Sequence, residues 1–431
     1  MREYASLSKS ELQRLQSELR ARYEELRGLR LSLDMSRGKP SAGQLDLSNS
    51  LIDDLTAGDY MAGEVDCRNY GGLDGIAGMK RIFADILGVL PGQVIVGGNS
   101  SLAMMFDSVA ANMTHGVRNG EPWAAQGRVK FLCPVPGYDR HFSICEYFHI
   151  EMIPVPMDEN GPNMDIVESL VSRDHMIKGM WCVPKYSNPE GIVYSDEVVR
   201  RIAALRPKAR DFRVYWDDAY TIHHLYGDLA KIPNILEECE KAGNPDMCYI
   251  FASLSKVSFG GAAVSCMCSS DGNVGYIKKR LSVQMIGPDK INQLRHVRFF
   301  KDAAGVRAQM DRHAAILRPK FELALETFGR ELDGVGCRWT RPRGGYFISF
   351  YSIRGCAVKI VGYCGECGLT LTAPGSTYPY GKDYDDSNIR IAPSFPGIEE
   401  LRRALEVFCV CVKLATVEKL LAASAPLIPP R

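Results

Sequence analysis

Polar and apolar positions along the chain fall into three textures. Near the start, Leu12, Leu15, Leu19, Tyr23 and Leu26 recur among charged residues at spacings of three and four. That period predicts an amphipathic helix, begun by Ser8 or Ser10, whose apolar stripe needs cover from its own body or from a second subunit. A turn-rich, extended piece follows, LSLDMSRGKPSAGQLDLS. The second texture is an alternation of short apolar runs with helical segments. The runs QVIVGG, VKFLCP, HIEMIPVPM, GMWCVP, FRVYW, CYIFAS and AAVSCMC predict strands, and SLAMMFDSVAANM predicts one of the helices between them. Such alternation implies an α/β layer with a mostly parallel sheet. From about residue 296 the third texture begins. Long charged helices surround GGYFISFY, and NIRIAPSF follows, which reads as a smaller α+β domain. The expected organisation is a helix and arm over 1–45 that joins the small domain, a large α/β domain over 46–295, and the small domain over 296–431, with APLIPPR as a loose tail.

Composition narrows the function classes. At 431 residues, 46% hydrophobic and 24% charged, the chain is long enough for two domains with substantial cores. A net charge of +1 makes no electrostatic case for nucleic acid or an anionic membrane. The N-terminus, MREYASLSKSELQRLQ, has no secretory apolar region, and no apolar run approaches bilayer length. The fourteen cysteines are scattered and often lie in apolar strands, a pattern of reduced buried thiols in a cytoplasm. Cys364 and Cys367 form one CxxC without a second pair or a histidine at zinc spacing, so no metal is expected. His223 and His224 are adjacent and share no helix face; they read as local structure.

The residues that carry chemistry stand at the ends of the strands. In open α/β sheets, ligands bind beyond the carboxyl ends. After VIV comes GGNSS and a helix, a set of free backbone N–H groups suited to an anion. The next ends offer Tyr138 in VPGYDRHF, Asn188 in KYSNPEG, and Asp217, Asp218 and Tyr220 in DDAY. CYIFA runs into SLSK, with Ser253, Ser255 and Lys256. A single Ser-x-x-Lys is usually a loop lysine facing water. A lysine pointed into a crevice, however, has its pKa lowered and can bond a carbonyl. An anion cradle, an aromatic face, an amide, a carboxylate with a phenol, and a lysine together suit one ligand, a phosphorylated pyridine aldehyde.

With these residues in order, the chain resembles the class I aminotransferases of the pyridoxal-phosphate-dependent fold type I. The resemblance runs from RGKPS to NIRIAPS, and SRGKPS, YGGLDGIAGMKR, PKYSNPEG and QMIGPDKINQLRH resemble one bacterial subgroup that includes aspartate aminotransferases. It implies pyridoxal 5'-phosphate bonded to Lys256, with Asp217 on the pyridine nitrogen; the three-residue gap to Tyr220 favours Asp217 over Asp218. Tyr220 and Asn188 would bond the cofactor's phenolic oxygen, and Tyr138 would stack on its ring. Asn99, Ser100, Ser101 and Ser253 would contact its phosphate, and Ser255 would belong to the cofactor site beside them. Tyr70 would reach a neighbouring subunit's phosphate, which implies a homodimer with shared sites. Gly38 and Arg390 would receive the substrate α-carboxylate, beside Asn188. Many relatives place a phosphate-binding arginine eight residues after the lysine; here Val264 stands there, leaving helix dipoles, hydroxyls or Lys290 to neutralise the phosphate.

The resemblance implies ping-pong transfer of an amino group between an L-amino acid, aspartate or glutamate, and a 2-oxo acid, 2-oxoglutarate or oxaloacetate. Arg37, Lys39, Lys290 and Arg343 are candidates to hold a distal carboxylate. A lyase on the same fold is the nearest alternative. Regulators of aminotransferase shape carry a separate DNA-binding domain, whereas here about thirty residues precede SRGKPS and read as one helix. A non-catalytic binding protein would not be expected to keep the whole Lys, Asp, Asn, Tyr and Arg set.

Overall fold

The computed structural model describes residues 3–227 and 230–423; the APLIPPR tail lies outside them. Its centre is an eight-stranded sheet. In chain order the strands are β1 (Val94–Val96), β2 (Lys130–Val135), β3 (Glu151–Asp158), β4 (Gly161–Pro162), β5 (Ile177–Cys182), β6 (Arg213–Asp217), β7 (Cys248–Ser253) and β8 (Ser265–Cys268). In space they run β1-β8-β7-β6-β5-β2-β3-β4. β7, β6, β5, β2 and β3 are mutually parallel, and β8 lies antiparallel between β7 and β1. Every residue of β5 and β6 is buried, as expected for parallel strands covered on both faces, so GMWC and VYW read as apolar runs; the charged Lys178 near the start of β5 is buried by pairing with Asp211 at 2.7 Å.

Two apolar layers cover the sheet. One gathers Phe83, Val94, Leu132, Met180, Val214, Trp216 and Ile250 with the helices of that side. The other holds Phe131, Trp181, Tyr215, Tyr249 and Phe251 with Met105 and Val109. Met105 and Val109 belong to the helix Ser101–His115, which starts where β1 ends. Near-alternate residues of one strand thus serve opposite layers, as the two-residue period of a strand requires.

A third core brings the two ends of the chain together. Leu12, Tyr23 and Leu26 of the helix Lys9–Gly28 pack with Leu401, Leu405, Phe408 and Val412 of the helix Ile398–Ala423. Arg20 and Arg22 tie the pair by ion pairs to Glu418 and Glu406. Ser8 is the N-cap, not Ser10: its hydroxyl accepts from Glu11 N–H at 3.3 Å, and the Glu11 carboxylate accepts from Ser8 N–H at 2.7 Å. The stripe anticipated from its period therefore covers the chain's own C-terminal helix. The same core contains the antiparallel strands Ile348–Tyr351 and Asn388–Ile391. The helix Ala303–Glu331 links it to the sheet, with Val306 and Met310 on the sheet side and Phe321 and Phe328 in the third core. Among the described residues no helix is long and apolar enough to cross a membrane.

Candidate active site

The parallel strands deliver their last residues to one edge of the sheet. There Ser100, Ser101, Tyr138, Asn188, Asp217, Tyr220, Ser253, Ser255 and Lys256 line a single cavity of about 160 Å³, with Leu102, Met105, Val183 and Ala219 as its apolar wall. A neighbouring cavity of about 410 Å³ shares Tyr138, Asn188, Tyr220 and Lys256 and extends to Arg37, Gly38, Thr372 and Arg390. Eleven of the thirteen residues singled out from the sequence thus line one joined cleft. The other two are Asn99 and Tyr70. The Asn99 carbonyl accepts from Ser255 Oγ at 2.9 Å, so Asn99 supports the rim from behind. Tyr70 is 82% exposed and lines neither cavity.

Asp217 ends β6, with one oxygen held and one free. Its Oδ2 lies 2.9 Å from His141 Nε2, within hydrogen-bond distance. Its Oδ1 is buried and has no hydrogen-bond partner among the described residues. A buried carboxylate oxygen left unpaired is costly, so a donor belonging to a ligand is the natural completion. Asp218, the next residue, faces a separate cavity behind the sheet with Lys185 and Thr221, and burial raises its pKa. Adjacent strand residues point to opposite faces, which separates the two acids.

His141 was not anticipated from the sequence. It sits in the first turn of the helix Asp139–Tyr147, three residues after Tyr138, and its ring stacks on Trp181 at 4.3 Å and 6°. Tyr138 meets the same ring edge-on at 5.0 Å. The signal was present in VPGYDRHF: a polar ring one helical turn beyond a strand-end aromatic faces the same cleft.

Lys256 follows β7. Burial lowers its pKa, and the Asp217 carboxylate opposes that in part. Its Nζ lies 4.8 Å from the centre of the Tyr220 ring and 5.9 Å from that of Tyr346. Burial drives the Tyr220 phenol well above its ordinary pKa and Tyr138 up to about 12, so both rings are neutral donors at neutral pH. Beneath them Tyr346 is clamped by Gln44, whose Nε2 donates to its hydroxyl at 2.9 Å and lies 3.0 Å from His313 Nδ1. His223 packs against both Tyr220 and Tyr346, and burial holds it well below its usual pKa, neutral.

The opposite end of the cavity is a helix N-terminus. Ser100 caps the helix Ser101–His115, its hydroxyl accepting from Ala103 N–H at 3.4 Å. Ser253 and Ser255 hydrogen-bond to each other across from it. Val264 is buried in the sheet-side core. Lys290 does not compensate for it: its Nζ donates to the carbonyls of Asn69 and Gly71, both at 2.7 Å, and anchors the Tyr70 loop instead.

Arg390, on the strand Asn388–Ile391, donates through Nη1 to Asp139 Oδ1 at 3.0 Å and Asn188 Oδ1 at 3.3 Å. Its Nε points at Thr372 Oγ1, 3.4 Å away, and the Phe347 ring centre lies 4.9 Å from its carbon. Gly38 is glycine for space: a Cβ there would come within 2.2 Å of the Phe347 ring. Of the four cations weighed for a distal carboxylate, only Arg37 lines this cleft, and Arg140 joins it unforeseen. Lys39 lies over the Phe395 ring at 4.0 Å and Arg343 over Tyr226 at 5.0 Å.

Known proteins resemble this chain over nearly its whole length. The aspartate aminotransferase of Corynebacterium glutamicum is 44% identical over 429 residues, covering 97% of this chain and 99% of that one. The crystal structure of an aspartate transaminase from the same species superposes with a TM-score of 0.95 at 42% identity, over 97% of this chain and 99% of that chain. The α-aminoadipate aminotransferase of Thermus thermophilus, solved with N-(5'-phosphopyridoxyl)-L-leucine, shares the fold at a TM-score of 0.73 and 19% identity, over 91% of this chain and 93% of that one. Residues 7–424 match the family described as aspartate amino-transferase, and a chain so matched, with an amine, a half-paired carboxylate and a guanidinium converging on one cleft, is an aminotransferase of that family.

Proposed function

We propose that the chain binds pyridoxal 5'-phosphate in the smaller cavity and transfers the amino group of aspartate or glutamate to 2-oxoglutarate or oxaloacetate. The observation that carries the cofactor reading is the unpaired Asp217 Oδ1, a buried acceptor aimed into a cavity that has a lysine at one end and a helix N-terminus at the other. These groups suit a pyridinium, an aldehyde and a phosphate. When bound, the cofactor supplies an electron-withdrawing ring that stabilises negative charge on the substrate α-carbon.

The chain's residues supply the rest. Asp217, oriented by His141, keeps the pyridine nitrogen protonated. Tyr138 covers the ring, and Tyr220 and Asn188 donate to its phenolic oxygen. The N–H groups at Ser100 and Ser101, with the Ser253 and Ser255 hydroxyls, hold the phosphate, and the helix dipole takes over part of the charge balance that an arginine at Val264 would provide. Lys256, its pKa lowered by burial, would hold the cofactor covalently and serve as base and acid for the proton at the substrate α-carbon. Arg390 grips the α-carboxylate in a planar fork. Arg37 and Arg140 line the same cleft without an ion pair among the described residues, which supports a substrate with a second carboxylate. The fourteen unpaired cysteines support a reducing compartment, the cytoplasm.

A panel of amino donors with 2-oxoglutarate tests the substrate reading. Aspartate and its product pair should outpace alanine, leucine and phenylalanine by at least about tenfold in kcat/KM, since a lost charge-assisted hydrogen bond is worth about that much. Equal rates for neutral donors would defeat it, and carbon dioxide or ammonia released without an acceptor would turn the reading to a lyase.

The reading extends to a homodimer. The loop that Lys290 anchors presents Tyr70 to solvent at 82% exposure, which leaves its side chain open to contact from a second copy. Tyr70→Phe should lose cofactor affinity, and mixing it with Lys256→Ala should restore activity in hybrid dimers that pair an intact Tyr70 with an intact Lys256. A fully active monomer at assay concentration would end the shared-site reading.

A further inference from the structure

The guanidinium assigned to the substrate already holds a carboxylate. Arg390 has a side chain only 9% exposed, and Asp139 is its one ion-pair partner among the described residues, at 3.0 Å. The remaining contacts, to Asn188, Thr372 and the Phe347 ring, set the plane of the fork without supplying negative charge. A buried guanidinium with no counter-charge is strongly disfavoured, so Asp139 stabilises the empty cleft.

Asp139 is also built to leave. Its side chain is 31% exposed, and it is the first residue of the helix Asp139–Tyr147, where the helix dipole favours a carboxylate whether or not it is paired. Arg37 and Arg140 line the same cleft and have no ion pair among the described residues, so one of them can face the displaced carboxylate while the other receives a substrate's second carboxylate. Asp139 reaches Nη1 of Arg390 with one oxygen, so an α-carboxylate that grips the fork through Nη1 meets it there, and two carboxylates at one nitrogen repel.

Resting on the reading of Arg390 as the α-carboxylate anchor, we propose that Asp139 is an internal competitor for that residue: its carboxylate holds Nη1 of the guanidinium between turnovers and the α-carboxylate of each substrate displaces it. Binding is then an exchange of one carboxylate for another. Amino acid and 2-oxo acid carry the same α-carboxylate, so both feel the competition equally. Asp139 is a positioning residue, since it acts through Arg390.

The test is steady-state kinetics of the holoenzyme with Asp139→Asn, which keeps shape and removes charge. KM for amino donor and 2-oxo acid should both fall by about tenfold, the size of one coupling within an ion pair, and propionate, a bare monocarboxylate, should inhibit more tightly by a similar factor. Asp139→Glu, which restores the charge, should return KM toward the original value. Asp139→Ser serves as a second neutral variant should the asparagine protein fail to fold. If both neutral variants leave KM unchanged or raise it, while Arg390→Lys is impaired with every donor, the competitor is refuted and Arg390 keeps its role. If Arg390→Lys is unimpaired, Arg390 is not the anchor and the proposal falls with it.

Discussion

Lys256→Ala is expected to lose at least about four orders of magnitude in turnover, because one residue both holds the cofactor and moves the proton at the α-carbon, and positioned proton transfer alone accounts for about two to four orders. Burial makes Lys256 suited to this: its pKa is lowered, so a larger share of the amine is free of its proton at neutral pH than for a surface lysine. The loss should not come from unfolding. Among the described residues Lys256 Nζ donates no hydrogen bond, and it lies over the Tyr220 and Tyr346 rings. Tyr346 stays fastened by Gln44 without it. Borohydride treatment of the intact protein should fix the cofactor to the peptide that contains Lys256. Label on another lysine, or an alanine variant with more than a small fraction of the original turnover, would overturn the assignment.

Arg390→Lys is expected to lower kcat/KM for every amino acid by about two to four orders of magnitude. Hydrogen bonds to charged groups contribute about 1.5–3 kcal/mol each, and about 1.4 kcal/mol is tenfold. Lysine keeps the charge but cannot reproduce the planar fork that Thr372, Asn188 and Phe347 hold in place. The loss should be similar for acidic and neutral donors, since all carry an α-carboxylate. The absorption of the bound cofactor should barely change, because Arg390 lies in the larger cavity and not in the one that Asp217 and the serines enclose. A loss confined to aspartate and glutamate would mean that Arg390 holds the distal carboxylate and that the substrate lies the other way round.

Most of the cleft was legible from the sequence for a geometrical reason. Five strands run parallel, so their carboxyl ends meet at one edge, and any polar residue that ends an apolar run arrives there. Asp217 and Lys256 could be placed without knowing a single long-range contact. The strand identity of FRVYW and CYIFAS was equally legible, because a strand buried on both faces is mostly apolar, and the one charged residue within them, Arg213, stands at the start of its strand.

Residues that act through partners were not legible. His141 became relevant only when its helix brought its ring to Asp217, 76 positions away. Asp139 and Arg390 are 251 positions apart, and nothing local in either segment announces the ion pair. Lys290 reads as a free cation in QMIGPDKINQ, yet packing turns it to the carbonyls of Asn69 and Gly71. The sequence by itself determined which side chains end the strands, since burial and the two-residue period are local properties of each run. The tertiary structure alone decided which cations remain unpaired and which acids face them: charge pairing depends on distances of a few ångströms between segments hundreds of residues apart, and only the packing of the helices sets those distances.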